Sequence, residues 1–386
     1  MKFFHLSDLH IGRQLHHYNL REDQEKILGE VIDYAELIHP DSIIIAGDIY
    51  DKSVPSAEAV SMFDEFLTAL SAIEPAIPVL IISGNHDSAE RLQYASGILK
   101  KHQIHLAGIA PRTPEEYIEK VTLTDEYGEV NFYLLPFLKP AYVRRVFDEE
   151  IPETYSEAVR YLIEREKIDF CNRRNVLISH QFYTGKDNPQ TCDSETFSVG
   201  GIDNIDIGCV KEFDYVALGH LHGEQNVGMS HIRYCGTLLK YSVSESSHHK
   251  SLSVVTLKEK GTSPQIELLP LHPLRDVQKK RGQLEEILKQ AEEKEKDDYI
   301  SITLTDEVEP YKPKEQLEKV FSHILEVRVD NTRTRNKLQE LDEELTIKDP
   351  LESFADFYQE MQGKEMGEEE QEIMMQILEE AKGEKQ

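Results

Sequence analysis

No stretch of 18 consecutive apolar residues occurs in the 386-residue chain, so no membrane span is expected. Cysteine is scarce and scattered. Cys171, Cys192, Cys209 and Cys235 form no CxxC pair, which argues against a disulfide framework or a zinc site and fits a reducing cytoplasm. The first residues, Met-Lys-Phe-Phe-His-Leu-Ser-Asp, enter a strand pattern at once. They contain no basic region followed by an apolar stretch and a cleavage site, so no secretory signal is expected. Positive charge is also short: 43 Lys+Arg stand against 72 Asp+Glu, a net charge of -29. Taken alone, that balance argues against nucleic acid as a partner, because phosphate binding usually leaves a basic footprint. The acid is concentrated late, however, in Glu285–Asp298, in Glu340–Glu344 and after Asp349. Such runs commonly coat solvated helix faces, so the total says little about what the first half binds.

The first third alternates strand and helix. Lys2–Ser7 is an apolar run ending in polar residues. Asn19 is placed to cap a helix from about Leu20 to Ile38, with Ile27, Leu28, Val31, Ile32 and Ala35 along one face. Asp41–Gly47 and Val79–Ser83 read as buried strands, and Ser56–Leu70 and Ser88–Lys101 as helices. This order implies a parallel sheet with helical crossovers. From Val121 the pattern changes to a hairpin, helices near Ala141–Glu149 and Tyr155–Lys167, and strands at Asn175–Ser179, Tyr215–Leu218, Ile232–Cys235, Leu252–Leu257 and Gln265–Leu269. Leu271-His-Pro-Leu marks a boundary. Beyond it a charged helix (Leu274–Lys294), a strand (Tyr299–Leu304), a helix after Pro313 and a strand (Ile324–Val329) make a small α+β module. The expected division is therefore 1–270, 271–347 and 348–386.

Five motifs carry the chemistry. They are Asp8-Leu-His10, Gly47-Asp48-Ile-Tyr-Asp51, Gly84-Asn85-His86-Asp87, Ser179-His180-Gln181 and Gly219-His220-Leu-His222. Each follows a predicted strand, and strand carboxyl ends form the ligand crevice of an open α/β sheet. Five strand ends thus deliver Asp, His, Asp, Asn, His, His and His to one place. Carboxylates and imidazoles without thiolate suit divalent ions such as Mn²⁺, and also Fe or Zn. Two ions about 3.5–4 Å apart can hold an in-line displacement at phosphorus. One carboxylate must bridge them, and Asp48 is the natural candidate. Glycines before Asp48, Asn85 and His220 let the backbone turn and approach an ion or phosphate. Any one motif is weak, but five in this order are specific. His5, His39, His102, His105, His231, His272 and His323 lack this support and read as structural or exposed. His16, His17, His248 and His249 lie near predicted loops and stay open.

These motifs resemble those of the calcineurin-like metallophosphoesterases over roughly Met1–Leu269. The opening Phe-His-Leu-Ser-Asp-Leu-His-Ile-Gly is similar, more narrowly, to the SbcD family of bacterial nuclease subunits. So are Gly47–Ser56, Ala217-Leu-Gly-His-Leu-His and Gly236-Thr-Leu-Leu-Lys-Tyr-Ser. The resemblance implies an α/β fold: a sandwich of two mixed β-sheets flanked by helices, a small α+β capping domain that binds DNA, and C-terminal helices. It implies one metal site from Asp8, His10, Asp48 and His222, and a second from Asp48, Asn85, His180 and His220. His86 matches the catalytic histidine that assists departure of the leaving oxygen, and Asp51 the second carboxylate of a GDxxD pattern. The GDxxD spacing suggests that the Asp51 side chain holds the far ring nitrogen of His86.

The resemblance further implies a manganese-dependent exonuclease on double-stranded ends and endonuclease on single strands and hairpins, serving DNA repair, recombination and replication. It implies a cytoplasmic, nucleoid-associated homodimer within a heterotetramer, paired through Ala57–Leu70 and Glu90–Lys101, with an SbcC-type ATPase as partner. The chain has no GxxxxGK[ST], consistent with an ATPase on another chain. Candidate DNA contacts are Arg13, His17, Arg21, Lys52, Arg91, Lys240 and Lys250, all beside the motifs. Two apolar stripes follow Asp349, one of Leu351, Phe354, Tyr358 and Met361 and one of Ile373, Met374, Ile377, Leu378 and Ala381. They read as amphipathic helices suited to a partner's groove, so the ATPase is expected to dock through 348–386. Two other classes compete: a phosphatase or cyclic-nucleotide phosphodiesterase on the same metal core, and a non-catalytic scaffold. The module after Leu271 weighs against the first, and His86 beside a complete ligand set against the second.

Overall fold

The computed structural model describes residues 1–147, 151–185, 188–195, 203–308, 310–335 and 350–383. It divides into two compact units. The first holds Met1–Lys280, Ala291–Ile302 and Glu315–Glu326; the second holds Arg281–Gln290, Thr303–Lys314 and Val327–Gln386. The expected boundary at 347/348 lies outside the described residues.

The first unit is built on two six-stranded sheets. In the first sheet, Gln265–Pro270, Ser251–Thr256, Lys2–Leu6, Ser42–Ala46, Val79–Ile82 and Ile104–Ala107 lie side by side. The last four run parallel, and Ser251–Thr256 joins Lys2–Leu6 antiparallel. In the second sheet the order is Gln225–Val227, Met229–Tyr234, Tyr215–Gly219, Arg174–His180, Gly128–Leu135 and Glu119–Asp125. Its four central strands are parallel and both edge strands antiparallel.

The strands read as unbroken apolar runs because both faces are buried. Side chains alternate across a strand, so each run supplies two cores. Phe3, Ile44, Ala46, Leu80 and Ile82 meet Phe132, Leu134, Val176, Ile178, Tyr215 and Ala217 between the sheets. Phe4, Ile43, Ile45, Val79 and Ile81 face the helices Arg21–Ile38 and Ala57–Ser71 instead. On the far side, Tyr133, Leu135, Leu177, Val216 and Leu218 pack with Ala158, Val159, Leu162 and Ile163 of the helix Tyr155–Arg165. That helix starts with a capping box from Thr154 and Glu157. The result is the expected sandwich of mixed sheets with helices outside.

Three helix expectations change. Ser88–Lys101 is not one helix but two short turns, Ala89–Leu92 and Ser96–Leu99, broken at Ala95, which takes a left-handed φ of 62°. Gln93 ties the break by accepting the Gly108 N–H at 2.6 Å and donating to Ser96 Oγ at 2.9 Å. Ala141–Glu149 contracts to Pro140–Val143 and a 3-10 turn at Arg144–Val146; Asp148 and Glu149 lie outside the described residues. Leu274–Lys294 begins instead as a strand, Val277–Gly282, in a three-stranded sheet whose middle strand is Tyr299–Leu304 and whose third is His323–Val329. Only Leu284–Gln290 is α-helical.

In the second unit, the Asn331 side-chain amide donates to the Asp306 carbonyl at 3.1 Å, and Arg281 and Arg335 both pair with Asp330. Its C-terminal helices are Pro350–Gln362 and Glu368–Gly383, joined by the Tyr358 hydroxyl donating to Glu370 at 3.2 Å. Leu351, Phe354, Tyr358, Met374 and Leu378 are half-buried, whereas Met361, Ile373 and Ile377 are exposed. The side chain of Ala381 lies outside the described ones. No helix among the described residues is long and apolar enough to cross a membrane.

Candidate metal centre

All five motifs leave the carboxyl ends of parallel strands on the same edge of the sandwich. Asp8, Asp48 and Asn85 follow strands of the first sheet; His180 ends a strand of the second, and His220 follows its neighbour. The loops after the first two strands brace each other. Asp8 N–H donates to the Gly47 carbonyl and His10 N–H to the Asp48 carbonyl, both at 3.0 Å. Asp8, His10, Asp48 and His220 adopt positive φ angles of 53°, 43°, 50° and 111°. Such backbone is costly for residues with a Cβ and gathers at functional sites. Gly84 is required for space, since a Cβ there would collide with the Asp48 carboxylate and backbone nitrogen.

The side chains converge. His10 Nε2 and His222 Nε2 lie 3.2 Å apart. His180 Nε2 is 3.3 Å from Asp48 Oδ2 and 3.1 Å from Asn85 Oδ1, which is itself 3.0 Å from His220 Nδ1. His10 Nε2 is 3.7 Å from Asp48 Oδ2, so Asp48 stands between the histidines of the two expected sites. Three overlapping groups have ligand atoms close enough to share an ion: Asp8, His10 and His222; His10, Asp48 and His86; and Asp8, Asp48 and His180. His180 donates from Nδ1 to the Ala46 carbonyl at 2.7 Å, which turns Nε2 toward the carboxylates, where it would serve as a ligand on giving up its proton. His10 Nδ1 is buried without a hydrogen-bond partner among the described residues. This donor set, oxygen and imidazole nitrogen only, fits hard or borderline divalent ions.

Electrostatics shows what an ion would relieve. Burial opposes charge on Asp48, yet His180 and His10 beside it hold its carboxyl far below the usual range. His180 is likewise buried, but Asp48 and Asp8 push it up to about 9. Burial, reinforced by His180, pushes His220 down to about 3 and keeps it neutral. Asp8 is raised by burial and by Asp48. The buried carboxylates draw compensation from neighbouring imidazoles, His180 foremost, a task that divalent cations perform better.

His86 is half-buried beside the cluster, its ring edge-on to His10 with centroids 4.9 Å apart. Its Nδ1 donates to the backbone carbonyl of Asp51 at 2.9 Å. The expected contact with the Asp51 carboxylate is therefore corrected: that carboxylate pairs with Arg13 at 2.8 Å. Peptide geometry, not the side chain, orients the imidazole.

The basic candidates split into two groups. Lys250 is half-buried and donates to the His222 carbonyl (2.9 Å), Thr237 Oγ1 (2.6 Å) and Glu245 (2.6 Å). Lys240 is held by Asp276 and the Ser246 carbonyl, both at 2.8 Å, and Arg13 by Asp51 and the face of Tyr241. These three have internal partners. His17, Lys52 and Arg91 are exposed, as is Arg21, which pairs with Glu25 at 2.7 Å.

Other residues at the centre carried no role in the sequence. Asp87 accepts the N–H groups of Ile49 (3.1 Å), Tyr50 (3.0 Å) and Gly84 (2.9 Å), tying two ligand loops together. Its place in the third motif was the available signal. Ser194, Glu195 and Glu245 surround His222, and no local pattern marks them.

The calcineurin-like phosphoesterase family profile matches residues 1–224, and the type 5 capsule protein repressor C-terminal domain profile matches residues 270–362. The SbcD subunit of nuclease SbcCD from Staphylococcus epidermidis is 34% identical over 328 residues, 84% of each chain. The chain belongs to the SbcD family of calcineurin-like phosphoesterases. Its activity class follows: a metal-dependent nuclease subunit. The Staphylococcus saprophyticus protein of the same name is 31% identical over 357 residues, 90% of this chain and 91% of that one. Among solved structures, a dimetal phosphatase from Danio rerio is 12% identical and covers 69% of this chain and 98% of its own, with a TM-score of 0.39.

Proposed function

We propose that the chain hydrolyses phosphodiester bonds of DNA with two divalent ions, Mn²⁺ foremost, as a double-strand exonuclease and a single-strand and hairpin endonuclease. Asp8, His10, Asp48 and His222 would hold one ion, and Asp48, Asn85, His180 and His220 the other. The observation that carries this reading is the convergence of these side chains around Asp48, with His86 alongside. The ions supply Lewis acidity for attack of water at phosphorus. The chain's own residues do the rest. Asp48 Oδ1 accepts the His86 N–H at 2.8 Å, which ties the proton donor to the bridging carboxylate. The Asp51 carbonyl fixes the His86 ring with its Nε2 free to protonate the leaving oxygen.

The proposed organisation is a nuclease domain (1–270), a DNA-binding capping domain (271–347) and a partner-binding segment (348–386). In this reading an SbcC-type ATPase docks on the last segment, and the nuclease pairs with itself within a heterotetramer in the nucleoid-associated cytoplasm. His17, Arg21, Lys52 and Arg91 are the proposed phosphate contacts, so affinity for DNA ends falls steeply with salt. The test is incubation with Mn²⁺ and labelled hairpin or duplex DNA beside para-nitrophenyl phosphate, with and without the ATPase subunit and ATP. Cleavage of DNA, with duplex digestion stimulated by the partner, is expected. Hydrolysis of the small phosphomonoester alone would assign the centre to a phosphatase.

A further inference from the structure

His222 is held differently from the other imidazoles of the centre. His180 turns Nδ1 to a backbone carbonyl, and His10 Nδ1 has no hydrogen-bond partner among the described residues. His222 Nδ1 lies 2.7 Å from Ser194 Oγ, and the same hydroxyl donates to Glu245 Oε1 at 2.6 Å. A serine hydroxyl has one proton. Because it is given to the carboxylate, the oxygen can only accept from His222, so Nδ1 carries the ring proton. The Nε2 lone pair is thereby aimed at the position it shares with His10 Nε2. Glu245 is fully buried and fixed by Lys250 on its other oxygen. The main chain of His222 is clamped as well: Glu195 accepts its N–H at 2.5 Å, and Lys250 donates to its carbonyl at 2.9 Å.

We propose that Ser194 and Glu245 are positioning residues that set the metal affinity of one site selectively, the one served by His222. The inference rests on the two-ion reading above. A carboxylate behind a ligating histidine fixes its tautomer and raises its basicity, and losing such a partner typically weakens metal binding about 10–100-fold. Here a hydroxyl relays the carboxylate to the ring. Behind His180 stands a neutral backbone carbonyl and, among the described residues, no hydroxyl–carboxylate relay, so the two sites are supported unequally.

The test is calorimetric titration of the metal-free full chain with Mn²⁺, alongside metal-free thermal melting, for wild type, Ser194→Ala and Ser194→Thr. Two binding events are expected in the wild type. In Ser194→Ala one event weakens about 10–100-fold and the other stays put. Ser194→Thr, which keeps the hydroxyl, restores it, and the metal-free melting midpoint is the same in all three. Two unchanged events in Ser194→Ala, two events weakened together, no rescue by threonine, or a lowered metal-free midpoint each overturn the assignment. A wild type that takes up fewer than two ions refutes the two-ion reading itself.

Discussion

His10 Nε2 and His222 Nε2 face each other across 3.2 Å, although 212 residues separate them in the chain. The two nitrogens lie within hydrogen-bond distance, with donor and acceptor roles set by the ring tautomers, and both belong to one group of ligand atoms with Asp8. An ion held by this group would draw on both imidazole nitrogens as ligands. Adding EDTA should therefore lower the melting midpoint of the metal-loaded protein, and Mn²⁺ should restore it, because a ligand that binds only the folded state stabilises it. A midpoint indifferent to chelator would mean the cluster does not bind ions.

Asp48→Asn should abolish turnover and reduce bound metal, since the same carboxylate lies beside histidines of both expected sites. Elemental analysis decides it: two ions per chain in the variant would remove Asp48 from the bridging position.

His86→Gln should cost about 10²–10⁴ in rate while metal content is retained, the usual range for a positioned proton donor. Asp51→Asn should cost less than His86→Gln, because asparagine keeps the backbone carbonyl that orients the ring. Equal losses from the two substitutions would return the orienting role to the Asp51 carboxylate.

Gly84→Ala should destabilise the fold by about 1–3 kcal/mol, the common cost of an overpacked methyl, and should deplete metal, because the methyl would displace Asp48. Thermal melting and metal analysis of one preparation test both parts; an unchanged midpoint would show that the loop gives way freely.

His5 offers a pH signature away from the ligands. Its Nδ1 lies 3.0 Å from the Tyr215 hydroxyl, and burial, with a further push from Arg233, lowers it from 6.5 to about 3. The unfolded chain binds a proton near pH 6.5 that the folded chain refuses. The stability held by neutral His5 is therefore complete above pH 6.5 and is lost progressively as pH falls toward 3. His5→Gln should be the less stable protein at pH 7.5, with the gap narrowing by about 1.4 kcal/mol per unit between pH 6 and 5. Denaturant titrations at the two pH values would expose a constant gap, which would contradict the assignment.

Much of this was legible in the sequence because parallel strands buried on both faces write themselves as short β-branched runs, such as Ile43–Ile45, and the residues just past them must face the crevice. What was not legible was settled by distant partners. Val277–Gly282 is too charged to look like a strand and becomes one by pairing with Tyr299–Leu304. The break at Ala95 depends on Gln93 reaching Gly108. Ser194 and Glu245 meet across 51 residues, and no spacing rule joins them. Even Asp51 and His86, a pair that the motif spacing does suggest, meet through a different atom, because spacing does not distinguish a carboxylate from the peptide oxygen beside it.

The ligands are drawn from both sheets, and the last of them, His220 and His222, come long after the first sheet's parallel strands are complete. A growing chain that has not reached Gly219 carries Asp8, His10, Asp48, Asn85 and His180 but lacks one imidazole for each proposed ion. The proposed centre is therefore completed only when the second sheet gains its Tyr215–Gly219 strand and the loop that follows it.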